Sequence, residues 1–360
     1  MHYIHIMQIS APLWTGANKP VPKRRKPCLR MWTSTRFRAS SLITLAIQIA
    51  RTKERREGLI MFDAQRLVTA AFVDHLIDAF RRAFPTPNPQ LEGVLEHACR
   101  SSLETLANTD AAYHNTNHTL LVTDVGQTIL YGRIISQGDL TQEDWLHAII
   151  AMLFHDIGYV RGSLKDDRSG DYLINAAGER LQPPPGATDA CLTPFHVDRS
   201  QLHIAQRFAT ESLLDVAVIS DYIEMTRFPV PEEPFYQRVG DIGGLVRAAD
   251  LIGQLADPCY LQKLSLLYAE FCETGDAERM GYQNAGHLRS TYPAFFYQKV
   301  SPYITEGIRF LHKSNAGKAW IAQLYAHVFT EQHQEQSFGP ERIEISPAEI
   351  AIMALPARAG

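Results

Sequence analysis

From residue 62 onward, apolar positions along this 360-residue chain recur at intervals of three and four. Leu67, Val68, Ala71, Phe72, Leu76, Ala79 and Phe80 give one helical stripe. The segment "FPTPNPQ" (84–90) ends it, because three prolines in five residues cannot continue a helix. A second helix is predicted over 91–106. A third follows in "NTDAAYHNTNHTLLVTDVGQTILYGRII", where Asn108, Thr109 and Asp110 are suitable N-cap residues and Leu121, Val122, Val125, Ile129 and Leu130 form the stripe. The segment "TQEDWLHAIIAMLFHDIGY" opens with Thr141 and Asp144 in a capping-box spacing. It is then apolar almost all round from Trp145 to Phe154, which predicts a buried helix. Residues 160–195, rich in Gly and Pro, form the chief loop. Helices are expected again at 196–213, 214–226, 243–257, from 260 to about 275, 301–313 and 316–332. Strand signals are few, so the expected class is an all-α domain over about 61–332.

Composition adds little to this, but charge does. The chain is 45% hydrophobic and 21% charged, ordinary for a globular protein. Its net charge of −4 hides a division. Residues 1–60 hold 12 Lys/Arg and two acids (Glu54, Glu57), a balance of +10, while the remainder holds 23 basic and 37 acidic residues, −14. An acidic body is a poor nucleic-acid partner. The basic arm has no comparable helical pattern and is expected to be disordered. It is read as an extension upstream of a start at Met61, with a nucleic-acid arm or a transit-type leader as alternatives, and residues 333–360 as an irregular tail. The apolar stretch at 41–50 is about half the roughly twenty residues a spanning helix needs, so no membrane partner is expected. The five cysteines have no short metal-binding spacing, which suits reduced thiols in a cytosolic protein.

The candidate chemistry lies where polar residues interrupt apolar stripes. His155 and Asp156 close the buried helix in "LFHDIGY". Either they are polar residues ending a helix before Gly158, or they are two ligands whose charge a metal compensates. His118 follows His114 by four residues in "YHNTNH" (113–118), on one face of the expected helix, and is a satisfied core histidine or a third ligand. Asp250 sits among Leu245, Val246, Ala249, Leu251 and Ile252, where a carboxylate is rarely buried without a partner. That partner is Arg247 or a metal.

The order His, His-Asp, distant Asp, each on its own helix, resembles the HD superfamily of metal-dependent phosphohydrolases, an all-helical fold. "YHNTNH" is similar to the Tyr-His-Asn-x-x-His signature of class I cyclic-nucleotide phosphodiesterases within it. The resemblance covers about residues 105–260. It implies one or two divalent ions, with Mn, Mg, Fe and Zn not distinguished. His118, His155, Asp156 and Asp250 match the ligands of the first ion, and His114 matches the histidine that protonates the leaving oxygen, one helical turn from His118. Tyr159 departs from the pattern, standing where a further histidine is expected. His196, at the start of the next helix, is the candidate second-metal ligand in its place. Arg161, Arg199 and Gln254 are candidate substrate contacts.

The expected activity is therefore phosphoester hydrolysis of a small, nucleotide-like substrate, a 3′,5′-cyclic nucleotide first. A nucleotidase or other phosphomonoesterase, and an idle nucleotide-binding HD domain, are the alternatives. For the arm, mass spectrometry of the protein from its natural source is expected to recover no peptide from before Met61. Recovery of one would contradict the reading of 1–60 as upstream extension.

Overall fold

A computed structural model describes residues 62–333. The expectations for 1–60 and for the tail after 333 fall outside the described residues. Within them the all-α class is observed, the strands being one two-stranded antiparallel ribbon, β1 (Tyr172–Leu173) with β2 (Arg180–Leu181).

The helices begin where side chains cap them. In α1 (Ala64–Ala83) Asp63 accepts from the Arg66 amide. In α2 (Pro89–Leu106) Pro89 occupies the first turn behind Asn88, so the last proline of "FPTPNPQ" opens a helix as well as following one. Helix α3 (Thr116–Gln137) starts behind Asn115, not at 108–110. The reason is tertiary. The Thr109 hydroxyl donates to Asp189 (2.9 Å), and Asp110 accepts from the Asp189 amide (2.6 Å) and from Arg161 (2.6 Å), so these groups are engaged elsewhere. Helix α4 (Gln142–Phe154) has the expected capping box, and every residue from Trp145 to Phe154 is buried.

The 160–195 segment carries the β-ribbon and the 3₁₀ turn Asp189–Phe195, and is tied to the body through Arg199. Arg199, on α5 (His196–Arg207), is wholly buried. Its guanidinium pairs with Asp167 and donates to the carbonyls of Gly158, Val160 and Leu173. After α5 come α6 (Val216–Glu224), α7 (Ile242–Leu255) and α8 (Tyr260–Thr274), the last ended by Gly275 at φ 77°. Short helices α9 (Asp276–Arg279), α10 (Ala285–Ser290) and α11 (Tyr292–Phe295) follow. Then α12 (Ser301–Leu311) and α13 (Asn315–Gln332) close the described chain. None of these helices is long and apolar enough to cross a membrane.

Helices α3 and α7 form the most extensive packed pair, flanked by α4 and α12. Their approach depends on Gly253, where a Cβ would lie 2.7 Å from the Val122 Cα and 2.8 Å from its amide nitrogen. Backbone cannot yield locally as a flexible side chain can, so the helices themselves must part. Gly253→Ala is expected to cost about 1–3 kcal/mol, read as a lower denaturant midpoint at unchanged slope. Gly93→Ala on α2, where nothing lies within 4 Å of the added methyl, is expected to be neutral or stabilising. Equal midpoints for the two variants would contradict this account of the crossing.

Candidate metal centre

Four side chains from three places converge beside that crossing. His118 lies in the first turn of α3, which Asn115 positions by accepting from the Asn117 amide (3.0 Å) and donating to the Ala112 carbonyl (3.2 Å). His155 and Asp156 follow the last turn of α4. That helix stops here because its end is held from outside: the Ser200 hydroxyl donates to the His155 carbonyl (2.6 Å) and accepts from the Gly158 amide (2.9 Å). Asp250 projects from the middle of α7. Arg247 does not partner it, since that guanidinium donates to the carbonyls of Tyr236 and Arg238 and lies over the Tyr303 ring.

His118 Nε2 lies 3.3 Å from Asp156 Oδ2, 3.3 Å from Asp250 Oδ1 and 3.3 Å from His155 Nε2. His155 Nε2 lies 3.3 Å from Asp156 Oδ2 and 3.5 Å from Asp250 Oδ1. Ligand bonds of about 2.0–2.1 Å set tetrahedral edges of about 3.3–3.4 Å, so His118, His155 and Asp250 are spaced as donors around one ion. Two further features fit. Asp156 Oδ2 is buried and takes part in no hydrogen bond, although two imidazole nitrogens flank it. His155 Nδ1 donates to the Met152 carbonyl (2.8 Å), which leaves Nε2 as the lone-pair donor facing the cluster. His118, His155 and Asp250 can hold a metal ion, and Asp156 adds an unsatisfied oxygen to the set.

The electrostatics follow from the same geometry. Burial by itself lowers the pKa of His118, but the close carboxylates of Asp156 and Asp250 raise it to about 9. Burial likewise opposes protonation of His155, and the same two carboxylates carry it well above its ordinary value. For Asp156 and Asp250 burial acts upward, yet His155 and His118 hold both carboxyls well below the usual range. The cluster demands positive charge at its centre.

His114 does not share a helix with His118. It precedes the N-cap, and its ring meets that of His118 edge-on at 5.7 Å. Its Nδ1 lies 2.6 Å from Glu270 Oε2, while Glu270 Oε1 accepts from the Tyr113 (2.6 Å) and His114 (3.3 Å) amides. Burial pushes the Glu270 carboxyl up, and the His114 charge and these hydrogen bonds hold it below its usual value. Glu270 escaped the sequence reading. The available signal was its position three residues after Leu267 in the buried stripe Tyr260, Leu264, Leu267.

His196, the candidate second-metal ligand, lies near Asp156. Its Nε2 lies 3.9 Å from Asp156 Oδ1, and its Nδ1 donates to the Thr193 carbonyl (2.6 Å). Gly158 makes this possible, because a Cβ there would collide with the His196 carbonyl. The three candidate substrate contacts are engaged elsewhere. Arg199 is a buried structural residue, since its donors are taken by Asp167 and three carbonyls. Arg161 is bound to Asp110, Asp189 and the Ala187 carbonyl. Gln254, one turn beyond Asp250, hydrogen-bonds the Tyr260 hydroxyl.

Fold and site together define an all-helical protein with a buried His/Asp cluster able to hold a metal ion. The chain belongs to the Npun_R2479-like family, which it matches over residues 62–334. No curated protein matches it.

Protons and metal compete for the same nitrogens. With His118 raised to about 9 in the metal-free protein, apparent affinity for Zn²⁺ or Mn²⁺ is expected to tighten steadily from pH 6 to pH 9. The slope is about tenfold per pH unit for each proton displaced. Titration calorimetry in buffers of different ionisation enthalpy reads both affinity and proton release. An affinity flat across that range would contradict the assignment.

Proposed function

We propose that this protein is a metal-dependent phosphohydrolase acting on a phosphodiester, a 3′,5′-cyclic nucleotide being the leading substrate. The observation that carries the reading is the four-donor cluster with its unsatisfied Asp156 oxygen, set in ring contact with a His114–Glu270 pair. The likeness of "YHNTNH" and "HD" to the phosphodiesterase branch of the HD superfamily supports it.

His118, His155, Asp156 and Asp250 would hold the ion. When bound, it supplies a water of lowered pKa and neutralises phosphoryl charge. The rest of the chemistry falls to the chain. Glu270 takes the Nδ1 side of His114, which turns Nε2 away from the carboxylate as the atom that delivers a proton. As a water oxygen bonds to phosphorus and the P–O bond to the leaving oxygen breaks, that oxygen takes the Nε2 proton and becomes a hydroxyl, which in a cyclic nucleotide stays on the single monophosphate product. Water then restores the proton to His114. Asp156 Oδ1 and His196 Nε2 are the atoms that would take a second ion. Nothing in this set reads a nucleobase, so a nucleoside monophosphate remains the second substrate class.

A screen of cyclic nucleotides, mononucleotides and a chromogenic phosphodiester with Mn²⁺ and Mg²⁺ is expected to show diester hydrolysis. Asp156→Ala is expected to lose both metal and activity. His114→Ala is expected to keep the metal and lose about 10²- to 10⁴-fold in kcat. Full activity in His114→Ala would remove the proton-donor role. A metal-loaded wild type inert toward every substrate would favour a binding domain instead.

A further inference from the structure

Tyr159 ends the 3₁₀ turn Ile157–Tyr159, three residues after Asp156, and is 1% exposed. One face of its ring stacks on His114 at 4.5 Å with an interplanar angle of 8°. The other stacks on His196 at 4.6 Å and 24°. A tyrosine is thus sandwiched between two imidazoles that come from separate segments, the turn before α3 and the start of α5.

Each imidazole is tied by one ring nitrogen only. His114 Nδ1 meets Glu270, and His196 Nδ1 meets the Thr193 carbonyl. A single hydrogen bond leaves the ring free to pivot about that contact, and the sp³–sp² torsion of histidine is intrinsically broad. The side chains of His114 and His196 are 16% and 17% exposed, so water does not confine them. The flat face of Tyr159 covers a face of each, because tilting either imidazole drives its edge into the phenol ring; Tyr113 and His118 meet the His114 ring only edge-on. Residue 159 needs planarity on both faces, which an aliphatic side chain lacks.

We propose that Tyr159 is a positioning residue whose ring fixes the planes of His114 and His196, so that both free Nε2 atoms stand at set directions beside the metal ligands. Its contribution to rate rests on the phosphohydrolase reading above; the stacking itself does not. The ring, not the hydroxyl, carries the role.

Three variants, Tyr159→Leu, Tyr159→Met and Tyr159→Phe, test this on the full chain, with circular dichroism and metal content checking that each is folded and loaded. Misplacing a reacting group by about 1 Å costs on the order of 10²-fold. Tyr159→Leu and Tyr159→Met are therefore expected to lose about 10- to 100-fold in kcat toward the chromogenic diester at little-changed KM. Tyr159→Phe is expected to recover most of that loss. Proton NMR of the imidazole rings gives a readout independent of activity. The His114 and His196 ring protons, assigned with His→Gln variants, are expected to be shifted by the phenol ring current, to move in the aliphatic variants, and to stay in Tyr159→Phe. Ring signals unmoved in the aliphatic variants, a loss in Tyr159→Phe as large as in Tyr159→Leu, or wild-type kcat in both aliphatic variants would each overturn the proposal. If the wild type hydrolyses nothing while the NMR shifts behave as stated, the functional reading fails and the stack stands.

Discussion

Two carboxylates and two imidazoles meet in a space almost closed to water, and the balance of their charges governs the rest of the site. Burying an ion costs several kcal/mol unless a partner of opposite sign lies close. Asp156 and Asp250 therefore need positive charge between them. In the metal-free chain protons supply it, which is why His118 and His155 sit above their ordinary pKa and both carboxyls below theirs. Protons do the task imperfectly, for Asp156 Oδ2 is left without a hydrogen bond. One divalent ion among His118, His155 and Asp250 would supply that charge, with Asp156 Oδ2 beside it.

The scaffold makes that meeting possible by bringing backbones unusually near one another. Gly253 lets α7 lie against Val122 of α3, and Gly158 lets the start of α5 reach the His-Asp turn. Ser200 then clips the His155 carbonyl to the Gly158 amide, and Arg199 locks the same turn to Asp167 and the 160–173 segment. Removing one member of such a buried pair strands the other charge, at a cost of about 3–5 kcal/mol. These residues act on the chemistry only through the position of the atoms they hold.

The four converging donors were legible because each breaks an apolar stripe, and a polar residue in such a place demands a reason. The helical class was legible from the three-and-four periodicity for the same reason of burial. Other features were not. Asn108, Thr109 and Asp110 have the right side chains to cap α3, but Asp189 and Arg161 claim two of them, and Asn115 caps the helix instead. Arg199 looked like a phosphate contact because sequence displays charge without burial. Glu270 belongs with His114 across 156 positions, a pairing that no local spacing encodes. Tyr159 was visible only as a departure from a motif; its place between two imidazoles comes from packing three segments together.

The most direct test of the central claim is anomalous diffraction from crystals of the chain grown with Mn²⁺. The account predicts a peak bonded to His118 Nε2, His155 Nε2, Asp156 Oδ2 and Asp250 Oδ1 at about 2.0–2.2 Å. Density at that point occupied only by water, with manganese absent or bound elsewhere, would contradict it.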